Sequence, residues 1–149
     1  MNHIRKATLE DLDVLSVLFD GYRVFYKQAT NLDAAKNFLK VRIEKNESVI
    51  FVSVTDTQQL TGFVQLYPIF SSTRMKRLWL LNDLFVDPNF RGQGISKILI
   101  ENSQRLCLET DACGLLLETA KSNDIGNKLY PSTGFELDND HNYYCWDVL

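Results

Sequence analysis

The chain has 149 residues, 45% of them hydrophobic and 23% charged, with a formal net charge of −3 and a pI near 5.3. That length suits one domain, residues 1–149, with a buried core. There is no basic stripe of the kind that grips nucleic acid, no apolar run near the roughly 20 residues of a membrane span, and no signal-peptide core in MNHIRKATLEDLD. The expectation is a cytoplasmic protein with neither a nucleic acid nor a membrane as partner. The cysteines Cys107, Cys113 and Cys145 and the histidines His3 and His141 fall in no CxxC or HxxxH spacing. Neither a metal site nor a disulfide framework is expected. Cys107 and Cys145 lie in apolar segments and read as buried, reduced thiols.

Thr8 and Asp11 form a near capping box ahead of LDVLSVLFDGYRVFYKQ. Leu12, Leu15, Leu18, Phe19, Tyr22, Phe25 and Tyr26 recur there at helical spacing, with Gly21 as a place for a bend or break. A second helix is expected over about 33–45. The period then changes. SVIFVSV and TGFVQLYPIF read as a hairpin joined by TDTQQL. RLWLLNDLFV, apolar on both faces, reads as a central strand. A helix over about 95–109 follows, then a buried strand in CGLLLET, a short helix in SNDIGNKLYPST ended by Pro131 or Gly134, and a last strand in NYYCWDV. The order gives an α+β (mixed α/β) fold with one central sheet. The strand–helix–strand unit makes its two strands parallel neighbours by the right-handed crossover rule.

Between the third strand and its helix stands RGQGIS, residues 91–96. A helix N-terminus offers unpaired N–H groups and a positive dipole end, so anions bind there. Gly92 and Gly94 permit tight backbone and close approach of a ligand, and Arg91 adds a planar donor fork suited to phosphate. The P-loop pattern fails, because no second glycine precedes Lys97 at the required distance. The dinucleotide pattern G-x-G-x-x-G fails because Lys97 stands where its last glycine belongs. The pattern R-x-x-G-x-[GA] fits, except for Ser96 at its last place.

That pattern belongs to the GNAT superfamily of N-acetyltransferases, and NDLFVDPNFRGQGISKILIE resembles the family's strand–loop–helix segment. Some thirty residues on, LLLET and then NDIGNKLYPSTGF resemble its second strand and its N-x-x-A-x-x-L-Y-x-x-x-G-F element. Asn123, Leu129, Tyr130, Gly134 and Phe135 fall in place, and Gly126 stands where alanine is usual. The resemblance covers most of the chain, in particular a bacterial branch similar to fungal histone and D-amino-acid acetyltransferases. It implies one domain with a mostly antiparallel sheet, a splayed parallel strand pair and flanking helices.

The resemblance also implies acetyl-coenzyme A as co-substrate, a small-molecule or peptidyl amine as acceptor, and a homodimer. It assigns the pyrophosphate to the backbone of Arg91, Gly92, Gln93, Gly94, Ile95 and Ser96, with Ser96 tolerated. Leu84 and Val86 would meet the pantetheine arm, the Phe85 N–H the developing oxyanion, and Asn123 the coenzyme. Tyr130 would be the general acid to the departing thiolate. An alkyl amine has a pKa of about 10, so a base is needed near neutral pH. Asp83 and Glu118 are both candidates, although Asp83 could simply pair with Arg77. Tyr22 and Tyr26 either line the acceptor site or form a core stripe. Retention of both loop and tyrosine favours an enzyme over a silent acyl-coenzyme A-binding module of the same fold.

Overall fold

A computed structural model describes residues 1–149. Its elements are β1 (His3–Lys6), α1 (Leu12–Phe25), α2 (Leu32–Glu44), β2 (Val49–Val54), β3 (Leu60–Ser71), β4 (Lys76–Val86), α3 (Ile95–Glu109), β5 (Leu115–Leu116) and α4 (Asp124–Ser132). Short 3-10 turns at Leu9–Asp11 and Pro88–Phe90 precede α1 and α3. The chain divides into two compact units, Met1–Glu118 and Thr119–Leu149.

In the first unit the sheet order is β1-β2-β3-β4-β5. All neighbours are antiparallel except β4 and β5, which run parallel. This is the mixed sheet that the sequence predicts. Strand alternation gives the sheet two covered faces. Val52, Val54 and Phe63 on one face join Leu15, Phe19, Ala35 and Leu39 of α1 and α2 in one core cluster. Val64, Leu66, Leu81, Leu99 and Ile100 are also buried, and α3 packs against β3 and β4. The expected capping box forms: the Thr8 N–H donates to Asp11 Oδ2 at 2.8 Å. Asp11 also takes both arms of Arg5, at 2.7 and 2.8 Å, and that guanidinium holds its carboxyl below the usual range. Pro68 lies in β3 beyond the last β2 pair, Val49↔Leu66, where its missing N–H leaves no ladder bond unmade.

Three expectations are corrected and one strand is added. α1 runs through Gly21 without a break. Added there, a Cβ would sit 3.3 Å from the Phe85 ring, so the glycine serves close helix–sheet approach. A strand at His3–Lys6 escapes sequence reading because HIRK is short and charged. CGLLLET supplies only Leu115–Leu116, half-buried to exposed, as paired strand. NYYCWDV forms no strand and lies exposed, Cys145 with it. β-propensity is largely the fit of a side chain to a neighbouring strand, and a segment without one stays irregular. Cys107 is buried as expected, and burial pushes its thiol pKa up.

The second unit is α4 followed by an irregular tail. Asn123 caps α4, its side chain accepting from the Gly126 N–H at 3.1 Å. Gly134, at φ 90°, ends it, with the Phe135 N–H returning to the Tyr130 carbonyl at 3.1 Å.

Candidate functional site

The site begins with one extra residue in β4. Gln65 pairs with Asp83 and Leu66 with Leu81, so Asn82 is a bulge opposite β3. Hydrogen bonds on either side of it fix which edge each backbone group faces. The Trp79 N–H donates to the Gly114 carbonyl, toward β5. The Asp87 N–H donates to the Thr61 carbonyl, toward β3. In an antiparallel ladder the direction alternates along the strand. Phe85, paired with Phe63, therefore faces β3 like Asp87, and Leu84 and Val86 face the other edge. That edge is open, since β5 pairs only with Trp79 and Leu80. Pairing stops two residues before the bulge, and a bulge bends its strand and increases its twist.

Leu84 and Val86 thus turn main-chain groups to the edge that has no strand, where an extended ligand could add, although the Val86 carbonyl already accepts from Arg91 Nε. The Phe85 N–H belongs to the β3–β4 ladder, which corrects the expectation that it faces a ligand on that edge. The Phe85 side chain packs toward α1, with its ring 6.5 Å from Phe63.

On the face toward α1 and α2 the bulge buries a carboxylate. Asp83 is 2% exposed. Its Oδ2 accepts from Gln65 Nε2 at 2.5 Å and its Oδ1 from Asn82 Nδ2 at 2.9 Å. Gln65, itself fully buried, has its amide oriented by Ser48, whose hydroxyl donates to Oε1 at 2.8 Å. Burial pushes the Asp83 pKa above the usual carboxylate range, against the opposing pull of Gln65, Tyr22 and Asn82. Tyr67 lies close enough that burial first, and then the Asp83 charge, raise its phenol to about 12.

Tyr22 stands over this group from α1, its hydroxyl donating to the Asn82 carbonyl at 3.1 Å. Its ring meets Tyr26 edge-on at 5.0 Å and stacks toward Phe19. Tyr26 is exposed at the rim. Tyr22 therefore joins the core to the Asp83 group, and Tyr26 extends its aromatic stripe to the surface. Arg77 does not pair with Asp83; it stacks on Phe70 and Trp79. Glu118 lies exposed beyond the end of β5. Gln65, Ser48, Tyr67 and Asn82 escape sequence reading. The one available signal is Gln65, a lone amide inside the apolar run TGFVQLYPIF.

The loop after β4 ends on Gly94, the N-cap of α3. Gly92 and Gly94 both take left-handed backbone, φ 77° and 76°, which costs other residues roughly 1–2 kcal/mol. A Cβ at either would meet nothing within 4 Å. Their role is therefore to set the backbone turn beside open space. The first intrahelical donors are Lys97 and Ile98, both to the Gly94 carbonyl. The Ile95 and Ser96 N–H groups come earlier and are free for an anion. Gln93 is exposed on the same turn. Arg91 folds back, its Nε donating to the Val86 carbonyl at 3.0 Å and its guanidinium 5.5 Å from the Phe85 ring centre. It thus ties the loop to the open edge. This cradle fits a phosphate-bearing ligand whose extended arm runs beside β4.

In the second unit α4 carries Asn123 and Tyr130. Asn123 is committed on both sides of its amide: Oδ1 caps the helix and Nδ2 donates to Thr119 at 2.9 Å. A Cβ at Gly126 would come within 2.6 Å of that Nδ2, which accounts for glycine there. The Tyr130 ring is half-buried and meets Phe135 edge-on at 5.8 Å. No group of three His, Cys, Asp or Glu side chains gathers as metal ligands, and no helix is long and apolar enough to cross a membrane.

Residues 13–135 match the acetyltransferase (GNAT) family profile. The chain is 40% identical over 146 residues to an uncharacterized N-acetyltransferase, YhfO, of Bacillus subtilis, covering 98% of this chain and 97% of that one. It is 32% identical over 128 residues to a peptidyl-lysine N-acetyltransferase, YjaB, of Salmonella typhimurium, covering 79% and 78%. A solved structure of a probable acetyltransferase superposes with a TM-score of 0.94 at 36% identity, covering 99% of this chain and 98% of that one.

Proposed function

The chain belongs to the acetyltransferase (GNAT) family as an acetyl-coenzyme A-dependent N-acetyltransferase, and from that premise we propose that it acetylates a cationic amine of a small molecule or peptide with Asp83 as the base. The observation that carries this is the placement of Asp83. A carboxylate 2% exposed, with its pKa raised by burial, sits under Tyr22 one residue before the open edge of β4. A raised pKa makes the ionised carboxylate a better proton acceptor. Tyr22 and Tyr26 supply aromatic faces that attract a cation.

In this reading the pyrophosphate rests on the N–H groups of the 91–96 turn, and the pantetheine arm adds to the edge of β4 at Leu84 and Val86. The Leu84 N–H, facing that edge, takes the oxyanion role in place of Phe85. Asp83 first takes a proton from the ammonium, and the freed amine nitrogen attacks the thioester carbonyl carbon; the C–N bond forms, the C–S bond breaks, and the second proton lost by the nitrogen replaces the one that Tyr130 gives up. The departing thiolate takes a proton from Tyr130, the residue at the family's general-acid position. Asn123, with its side chain spent on capping α4, would meet the coenzyme through its backbone. The peptidyl-lysine activity named for the Salmonella relative supports a primary amine as the acceptor class.

The test is release of free thiol from acetyl-coenzyme A across a panel of lysine peptides, polyamines, amino acids and aminoglycosides. At least one cationic amine is expected to turn over well above the hydrolytic background. Tyr130→Phe should then lower kcat by about 10²-fold or more with coenzyme affinity little changed. Gly94→Asp, which puts a strained Cβ and a negative charge against the anion site, should weaken coenzyme binding at least tenfold. Background-level thiol release with every amine would show a silent coenzyme-binding module instead.

A further inference from the structure

The α1–α2 face of the sheet carries two polar groups that the acetyl transfer leaves unused. The first is Tyr67. It follows Gln65 by two residues in β3, so its side chain stands on the same face, about 7 Å further along the strand. Tyr67 is half-buried, and its phenol has no hydrogen-bond partner within the protein. No buried side-chain oxygen is left unpartnered, so that hydroxyl reaches open space. Burial and the Asp83 charge raise its pKa to about 12, which keeps it a donor at neutral pH.

The second is Arg42, in the last turn of α2. Its guanidinium lies 4.5 Å from the centre of the Phe38 ring, and Phe38 stacks on Phe19 beside Tyr22. Arg42 Nε donates to Glu47 at 2.6 Å. Glu47 precedes Ser48, whose hydroxyl reaches Gln65, so the pair sits at the Gln65 end of the face. The Arg42 charge is felt at the Tyr67 phenol, whose pKa it pulls down. The Nη groups of Arg42 have no protein partner.

The face therefore has an order of charge. Asp83, whose hydrogen-bond partners are all neutral, is the negative end. The Tyr67 hydroxyl comes next, and the Arg42 guanidinium is the positive end. A ligand that complements this order carries a cation and an anion a few bonds apart.

We propose that the acceptor is a small amino acid, its ammonium delivered to Asp83 and its carboxylate held by the Tyr67 hydroxyl and the Arg42 Nη groups. The planar fork of a guanidinium matches a carboxylate. A polyamine would bring like charge to Arg42. One strand repeat between the two ends suits an α- or β-amino acid rather than a long chain. The proposal rests on the reading of Asp83 as the base and names the acceptor within it.

The test compares α- and β-amino acids with their own carboxamides, by thiol release from acetyl-coenzyme A. A carboxamide has the less basic amine, so a preference for the free acid does not come from easier deprotonation. The acids should show kcat/KM at least about tenfold higher, in the range of a charged hydrogen bond. Arg42→Gln and Tyr67→Phe should each lower kcat/KM for the acids and bring the acid-to-amide ratio several-fold toward one. Glu47→Gln, which spares both groups, should keep the wild-type ratio. Equal use of acid and amide by the wild type, or a ratio unmoved in both variants, overturns the proposal while the base assignment stands. So does turnover of lysine peptides or polyamines with no amino acid used. Loss of the ratio in Glu47→Gln as well would trace the preference to the packing of α2 and overturn the proposal too. If no amine of any kind turns over, the enzyme reading itself fails and takes the proposal with it.

Discussion

The two halves of β4 obey different rules. Up to Leu80 the strand has a neighbour on each edge, β3 on one and β5 on the other. From Asp83 onward it keeps β3 and has no strand on the other edge. Asn82 lies between them as a single inserted residue. The first half is structural: Trp79 is buried and its indole donates to Thr110 at the end of α3, at 2.9 Å. The second half offers backbone to a ligand on its edge and a buried carboxylate on its α1–α2 face. One added residue separates the two halves, because a bulge bends the strand away from its neighbour while leaving the opposite ladder to resume.

Removing that residue should have the largest effect. Deleting Asn82 straightens β4 and lets β5 continue along it. Acetyl-coenzyme A affinity should fall more than tenfold by calorimetry. The amides of Leu84 and Val86, fast in hydrogen exchange in the free wild type, should become protected, whereas that of Phe85 is protected in both. Fast exchange at Phe85 in the wild type would break the edge assignment.

Asp83→Asn comes next. It should lower kcat/KM by about 10²–10⁴-fold, the range of a lost general base, with coenzyme affinity within about twofold. An asparagine also turns an amide toward one of the two donors, Gln65 or Asn82, so a stability loss of about 1–2 kcal/mol is expected. Retained turnover would move the base to Glu118.

The third test reads the same carboxylate through pH. The base works ionised, so activity falls as pH drops through its folded-state pKa, which burial has raised above the ordinary 3.8. The Gln65 hydrogen bond opposes that rise. Gln65→Met removes it, and the acidic limb of kcat/KM should move to higher pH with the plateau largely kept. A limb that stays in place would mean that Asp83 does not set it. Linkage has the corresponding sign. Folding disfavours the ionised form, so the Asp83 contribution to stability is most favourable below its unfolded pKa and declines as pH rises through the folded one.

The smallest effect belongs to Tyr22→Phe. It deletes the hydroxyl that bonds the bulge carbonyl and also pulls on the Asp83 carboxylate, worth about 1 kcal/mol, and should raise the acceptor KM a few-fold while coenzyme affinity holds.

Much of this was legible in advance, for local reasons. Glycines at 92 and 94 announce backbone that other residues avoid, and both prove left-handed. The helix after them runs Ile95–Glu109 because its apolar period and its glycine start are written within its own fifteen residues. Asp83 was a candidate base beside Glu118, with nothing in the sequence to choose between them. Its partners were not legible. Gln65, 18 positions away in the chain, meets Asp83 only through strand register, which a one-residue bulge can shift, and Ser48, 35 positions away, acts on it only through Gln65. NYYCWDV shows the opposite failure. Its strand propensity was plain, but a strand is made by its neighbour, and this segment is paired with none.

The sequence by itself determined the glycine turn before α3, the order of most elements and the family, because each depends on short-range spacing that the chain carries locally. Only the tertiary structure decided which backbone groups of β4 are open, on which face Asp83 is buried and what raises its pKa. Those properties arise from pairing across β3 and β4 and from the α1–α2 layer that excludes water, and no single segment contains them.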